Sequence, residues 1–438
     1  MKYFGTDGIR QKAENFTQDF IVSIVRGLID YAGDDVKILI GGDTRESTEW
    51  ILSYLENALE SFGIEYGNVG VLPTPAINYC FDKMGFDLAI DVTASHNPYT
   101  DNGIKIFEST PTGPQKLSEK GCQAIEDAID ESTPYSLASS SIRESLHQDA
   151  IDLYLDHLKS YVSPANFNNL HIGIDCANGA TSTINSTVFE SLGAKTKLIN
   201  SDSHYGTKIN NNCGSTHLEQ LQKNVKDNQL TFGVAFDGDG DRCLMVDENS
   251  DIIDGDQIIA IIANYINSPS IAVSVMANQG LINWAKDNNI NLEITPVGDS
   301  NVAAAMREKD IKIGGEQSGH IILSGEATGD GMLTALFVSK IISETNKTLS
   351  ELSEIITKLP QITINLEASS EQKKSLKEKP EIKKLLLDYN KKLDSISGRL
   401  LVRPSGTENI IRITMWGKDE NKINSLINTL KNELKELL

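Results

Sequence analysis

The chain has 438 residues, 39% hydrophobic and 23% charged, a balance that excludes a disordered or low-complexity protein and suggests about three domains. Its 61 acidic residues against 40 basic ones give a formal net charge of −21, which works against nucleic acid or anionic lipid as a partner. No apolar run approaches the roughly 20 residues that span a bilayer. The first residues carry no apolar signal core, and the five cysteines (Cys80, Cys122, Cys176, Cys213 and Cys243) lack CxxC spacing. A reduced, cytoplasmic setting is therefore expected. In so acidic a chain an anion site must be made locally, so Arg10, Arg45, Lys105, Arg242, Arg403 and Arg412, all inside conspicuous loops, carry extra information.

Residues 19–30 place Phe20, Ile21, Ile24, Val25, Leu28 and Ile29 at helical spacing, with Thr17 as N-cap and Gly33 as stop. A strand over 37–40 runs into Gly41-Gly42-Asp43-Thr44-Arg45, and a helix follows over 47–62. A buried-type strand over 87–92 delivers Ser95 just past its C-terminal end, where ligands gather in open α/β sheets. The loop reads Thr93-Ala94-Ser95-His96-Asn97-Pro98, with Asn102-Gly103-Ile104-Lys105 close behind. Serine in such a loop is ordinarily a turn former. His96 beside it, Pro98 stiffening the exit and Lys105 downstream point instead to a nucleophile that carries a phosphoryl group.

The pattern restarts with strands over 171–175 and 231–236, the second feeding Asp237-Gly238-Asp239-Gly240-Asp241-Arg242. Carboxylates at alternate positions of a tight loop can converge on a hard cation such as Mg²⁺, and the glycines remove side chains that would block the fold. An EF-hand reading fits Asp237, Asp239, Asp241 and Glu248, but position six is Arg242 and the flanks read as strands. An aspartyl nucleophile at Asp237 is a second rival, and a polar hairpin turn the plainest one.

A third unit shows a strand over 271–275, a helix from about residue 280, and a strand over 311–314 entering Gly315-Glu316-Gln317-Ser318-Gly319-His320. Carboxylate and hydroxyl side chains read sugar hydroxyls, and an imidazole exchanges protons at neutral pH. Alternation of this kind predicts repeated α/β units with mostly parallel sheets. Residues 367–392, rich in Lys, Glu and Ser, read as a linker leading into a helix. Strands over 399–402 and 410–415 then flank Arg403-Pro404-Ser405-Gly406-Thr407-Glu408, and a helix from about 420 ends the chain. Arg403, Ser405, Gly406, Thr407 and, across the hairpin, Arg412 can make a phosphate cradle, with a surface turn bearing charge as the plainer and weaker reading. No P-loop and no G-x-G-x-x-G at a strand–helix junction is present, so nothing supports nucleotide use.

These four loops, in this order, resemble those of the α-D-phosphohexomutases over essentially the whole chain. The resemblance implies three similar mixed/parallel-sheet α/β domains plus a smaller C-terminal α+β domain around a central cleft, at residues 1–150, 151–250, 251–365 and 366–438. It implies a phosphoserine at Ser95 and one Mg²⁺ per active site, held by Asp237, Asp239, Asp241 and a Ser95 phosphoryl oxygen, with a sugar bisphosphate as primer. Ser95, His96, Lys105, Arg10 and His320 would be catalytic; Arg242, Glu316, Ser318 and the Arg403 loop would bind substrate. Three stretches favour a bacterial branch that acts on glucosamine 6-phosphate: Tyr3 to Arg10, Asn212-Cys213-Gly214-Ser215-Thr216-His217, and Gln317. The implied partners are small phosphosugars, with neither nucleic acid nor membrane, and a homodimer as candidate assembly. Departures from the family pattern fall at Gln11, Gly42, Thr48-Glu49, Ser300 and Asn409. Mannose or glucose phosphates, a phosphatase using Asp237, and a silent phosphosugar-binding protein are the alternatives.

Overall fold

The structure is a computed structural model, and it describes residues 1–5, 7–131, 143–204, 206–405 and 409–438. The chain forms two compact units, one of Met1–Met276 with Asn291–Ile355, the other of Ala277–Ile290 with Ile356–Leu438.

The first unit holds three sheets that share one plan. In the first, strands Lys37–Gly42, Glu65–Val71, Leu88–Val92 and Asp101–Glu108 run in the spatial order second, first, third, fourth. The first three are parallel and the fourth is antiparallel to the third. His171–Asp175, Lys195–Ile199, Phe232–Phe236 and Cys243–Val246 repeat that order and polarity. So do Ser270–Ser274, Asn291–Thr295, Ile313–Gly315 and Ile321–Leu323. The loop between third and fourth strands therefore has one topological position in all three sheets. It carries Ser95 in the first, the three aspartates in the second, and Glu316 to His320 in the third.

The local causes are legible. Leu88–Val92 and Phe232–Phe236 are buried at every position, as expected of strands covered on both faces. Helix Gln18–Ala32 starts where the Thr17 side chain accepts from Phe20 N and stops at Gly33. Its buried face includes Ile21, Ile24, Val25 and Leu28, each contributing about 1.5–3 kcal/mol on burial. The flanks of the aspartate loop are paired strands, which removes the EF-hand reading. Glu248, the acid that reading needed, accepts from Ser350 N and Oγ instead.

In the second unit, strands Gln361–Glu367, Ile410–Trp416 and Arg399–Pro404 form an antiparallel sheet in that order, with helix Glu420–Leu437 after it. The linker expected over 367–392 is not one. Ser369 opens helix Ser370–Glu378 through a capping box with Gln372, and helix Pro380–Asp394 follows directly. Its charged residues mask a buried stripe of Ile382, Tyr389 and Leu393, while Leu387 stays exposed. Among the described residues no helix is long and apolar enough to cross a membrane.

Candidate active site

Ser95 is fully buried and adopts a left-handed backbone (φ 51°), rare for a residue with a Cβ. Its Oγ donates to Asp237 Oδ2 at 2.6 Å, and His96 Nδ1 lies 3.2 Å from the same oxygen. With the hydroxyl proton on the Asp237 side, the second contact requires the His96 tautomer that carries its proton on Nδ1. Burial pushes the His96 imidazole down to about 4, with Arg242 and Arg10 acting in the same direction, so the ring is neutral at pH 7.

Asp237, Asp239 and Asp241 are buried, with one oxygen of each within 4.8 Å of the others. Lys105 Nζ donates to Asp239 Oδ2 at 2.6 Å and Asp241 Oδ2 at 2.8 Å, and lies 4.0 Å from Asp7 Oδ1. Burial alone would lower its pKa, but Asp239, Asp241 and Asp7 hold the ammonium well above its ordinary value. Burial works against ionisation of Asp241 as well, yet Lys105, His320 and Arg242 bring it down to about 2. Asp237 goes the other way: burial, then the neighbouring Asp239 and Asp241, push it well above the carboxylate range. Among the described residues, two buried oxygens, Asp239 Oδ1 and Asp241 Oδ1, have no hydrogen-bond partner.

The charge count points the same way. Asp7, Asp91, Asp237, Asp239, Asp241 and Asp299 are linked through Arg10, Lys105, Lys116, Arg242 and the Thr74 hydroxyl. Six carboxylates outnumber four cations, and burial together with that crowding raises Asp237 and Asp91, so ionising them calls for added positive charge. Three hard oxygens, two of them with an orphaned partner atom, fit a divalent cation.

The third loop meets the second directly. Arg242 and His320 form an isolated antiparallel bridge, and Cys243 N donates to Gly319 O at 3.0 Å. His320 Nε2 accepts from Gly329 N at 3.2 Å and stands 3.5 Å from Asp299 Oδ2 and 3.9 Å from Asp241 Oδ2. Glu316 is half-buried, with Oε1 accepting from Gly298 N at 3.3 Å, and Ser318 is half-buried beside it. Gln317 turns away from that role, its amide donating to Asp254 Oδ2 at 3.2 Å on the cap of helix Gly255–Tyr265.

Arg10 pairs with Asp7 from strand Gly8–Lys12, which lies against Asp101–Glu108 with Arg10 opposite Gly103. In the second unit Arg403 and Arg412 stand directly opposite each other across antiparallel strands. Directly opposed residues share one face of the sheet, so the two guanidinium forks can be offered together to an anion. Ser405 is buried there, its N–H bound to Ile410 O at 2.9 Å. Gly406 and Thr407 lie outside the described residues.

One expectation changes. Arg45, counted among the anion-binding cations, is enclosed and bound to main-chain carbonyls. Lys116, Thr74, Asp299 and Asp91 were missed. Lys116 Nζ bridges Asp7 Oδ1 at 2.8 Å and Asp299 Oδ2 at 2.7 Å, and Thr74 Oγ1 joins Asp91 Oδ2 at 2.5 Å to Asp239 Oδ2 at 3.0 Å. Lys116 and Thr74 carry no local signal, because short-strand register and helix placement bring them in. Asp299 does carry one, in its Gly298-Asp299 helix start.

The chain matches the phosphoglucomutase/phosphomannomutase family in all four parts: alpha/beta/alpha domain I over residues 1–136, domain II over 152–251, domain III over 254–359 and the C-terminal domain over 364–432. It belongs to that family. Among curated relatives it is similar to the phosphoglucosamine mutase of Caldicellulosiruptor saccharolyticus, at 41% identity covering 96% of each chain. It is likewise similar to that of Clostridioides difficile, at 39% identity covering 100% of this chain and 99% of that one. The fold is that of a phosphoglucomutase/phosphomannomutase family protein from Burkholderia thailandensis, with a TM-score of 0.78 at 18% identity, covering 99% of this chain and 96% of that one. It also matches the N-acetylphosphoglucosamine mutase of Aspergillus fumigatus, described in complex with GlcNAc-6P and magnesium (TM-score 0.67, 18% identity, 99% and 96% covered).

Proposed function

We propose that this chain interconverts glucosamine 6-phosphate and glucosamine 1-phosphate, the activity named in its curated relatives, and so feeds UDP-N-acetylglucosamine synthesis in the cytoplasm. The observation that carries the reading is the buried Ser95 hydroxyl 2.6 Å from the first of three converging aspartates. Residues 1–150, 151–250, 251–365 and 366–438 serve as its four domains.

In this reading the resting enzyme carries a phosphoryl group on Ser95. Asp237, Asp239 and Asp241, with an oxygen of that group, would hold Mg²⁺, which supplies charge neutralisation to the transferring phosphoryl when bound. The Oγ–P bond breaks as O1 of glucosamine 6-phosphate takes the phosphoryl group and gives up its proton. The resulting 1,6-bisphosphate turns over, Ser95 Oγ recovers the 6-phosphoryl group, and O6 takes up a proton. Free sugar bisphosphate primes an enzyme that has lost its phosphate.

The chain's own groups divide the remaining work. Lys105 and Arg10 balance charge on the moving phosphoryl group, and Arg242 binds beside them. His320, 3.5 Å from Asp299 Oδ2 and 3.9 Å from Asp241 Oδ2, exchanges the sugar hydroxyl proton. His96 Nδ1, 3.2 Å from Ser95 Oγ, holds that oxygen by a hydrogen bond. Glu316 and Ser318 hold sugar hydroxyls. Arg403 and Arg412, with Ser405, Gly406 and Thr407, hold the phosphate that is not transferring.

The test is phosphorus NMR of glucosamine 6-phosphate with the full chain, Mg²⁺ and a catalytic amount of sugar bisphosphate. Glucosamine 1-phosphate should accumulate to equilibrium, and Ser95→Ala should abolish it. Continued phosphate release by Ser95→Ala, with no isomerisation by the parent chain, would instead favour a phosphatase using Asp237.

A further inference from the structure

Arg45 is spent completely on one loop. A guanidinium has five N–H donors in a fixed plane, and all five are used. Nε donates to Asp43 Oδ2 at 2.9 Å. Nη1 donates to Pro98 O at 2.5 Å and to Asp101 O at 3.0 Å. Nη2 donates to Ser95 O at 2.9 Å and to Asn97 O at 2.8 Å. Four carbonyls of one seven-residue stretch thus converge on a single side chain of 0% exposure. No N–H of the guanidinium is left for a ligand.

The support is itself built. Asp43 Oδ1 accepts from Arg45 N at 3.0 Å and Thr48 Oγ1 at 3.0 Å, and Asp43 Oδ2 also accepts from Thr93 Oγ1 at 2.7 Å. Thr93 Oγ1 in turn accepts from Ser95 N at 2.9 Å. From the second sheet's side, Asn210 Nδ2 donates to Ser95 O at 2.8 Å and to Asn97 O at 3.3 Å. The carbonyl of the nucleophile is therefore gripped by two side chains, and a Cβ on Gly238 would lie only 2.5 Å from it. Ser95 needs such a grip, because its left-handed backbone (φ 51°) is one that residues with side chains rarely hold unaided.

We infer that Arg45, braced by Asp43 and joined by Asn210, is the positioning residue of the nucleophile. It fixes the turn that aims Ser95 Oγ at the aspartate cluster, and it makes no contact with substrate. The inference rests on the phosphoserine reading above. Arg45→Lys keeps the charge but offers three donors where five are used, so the loop loses part of its frame. Misplacing a nucleophile slows transfer without weakening substrate binding.

The experiment follows phosphorylation of Ser95 by glucosamine 1,6-bisphosphate in the full chain, by quench and phosphopeptide mass spectrometry, alongside kcat, KM and melting temperature. Arg45→Lys should slow Ser95 phosphorylation and kcat about 100-fold, with KM for glucosamine 6-phosphate within threefold of the parent. Asn210→Ala, which removes one amide and leaves Arg45 in place, should slow both about tenfold at unchanged KM. Should Arg45→Lys fail to fold, Asn210→Ala decides alone. Parent-like phosphorylation in a folded variant, or a loss carried by KM, overturns the positioning role. A parent chain that never phosphorylates Ser95 while isomerising the sugar overturns the phosphoserine reading, and this inference with it.

Discussion

The ammonium of Lys105 lies 2.6 Å from Asp239 Oδ2, with both side chains almost wholly buried. Lys105 belongs to strand Asp101–Glu108 of the first sheet and Asp239 to the loop of the second, so this contact joins the sheet that carries Ser95 to the aspartate cluster. Removing one partner of a buried pair leaves the other uncompensated, at about 3–5 kcal/mol. Lys105→Met should therefore lower Tm by about 5 °C or more in EDTA. Mg²⁺ should restore part of that loss, because a ligand that binds only the folded chain stabilises it. Thermal melts of parent and variant with and without metal check both statements.

Gly179 makes a second, steric link to the same loop. A Cβ there would lie 2.3 Å from Gly238 O and 2.7 Å from Gly238 Cα, backbone atoms that cannot swing aside. Gly179→Ala should cost about 1–3 kcal/mol of stability and shift the aspartates. Titration calorimetry with Mn²⁺ should show binding weakened about tenfold, whereas a substitution that merely softened the core would leave the affinity unchanged.

The N-terminal arm that carries Asp7 and Arg10 is tied down by one carboxylate. Glu126 accepts from Lys2 N, Tyr3 N and Phe4 N at 2.8, 2.7 and 3.0 Å. Burial would raise its pKa, but those three N–H groups outweigh burial and hold it below its ordinary 4.5. A depressed carboxylate contributes stability above its unfolded value and loses it as pH falls through the folded one. Glu126→Gln should thus be less stable than the parent at pH 7, with the gap closing as pH falls below about 4.5. Denaturant melts across pH 3–7 measure this directly.

Three sheets of one plan explain how much of the site was legible. Strands over 87–92, 231–236 and 311–314 announce themselves as apolar runs, and each ends in a loop dense with chemistry. Ser95, the three aspartates and the Glu316 loop could therefore be read in chain order. Lys116 could not, because a lysine in a two-residue edge strand becomes a bridge between Asp7 and Asp299 only through tertiary register. Arg45 was legible as conspicuous but not as structural, since an arginine's partners are carbonyls from a loop about fifty residues away. The helices over 370–394 were hidden by their charge: a narrow buried stripe in a Lys- and Glu-rich segment looks like solvent-facing chain.

Two departures from the family pattern explain each other. A Cβ at Gly42 would lie 2.5 Å from Val92 O and 2.7 Å from Thr48 Cγ2, so Gly42 leaves the room that Thr48 fills. Thr48 Oγ1 then bonds Asp43 Oδ1 at 3.0 Å. Nothing in the structure explains Gln11 or Asn409 in the same way.

Arg403 tests the phosphate cradle of the C-terminal unit. Arg403→Ala should raise KM for glucosamine 6-phosphate about 10- to 100-fold, the loss of charge-assisted hydrogen bonds worth roughly 1.5–3 kcal/mol. Initial-rate kinetics check it, and a fall in kcat at unchanged KM would place Arg403 outside the holding site.

The most direct test of the proposed activity compares kcat/KM for glucosamine 6-phosphate, mannose 6-phosphate and glucose 6-phosphate, with Mg²⁺ and a priming bisphosphate. A preference of at least about tenfold for the amino sugar is expected, roughly 1.4 kcal/mol of transition-state discrimination. An equal preference for mannose or glucose 6-phosphate would contradict it.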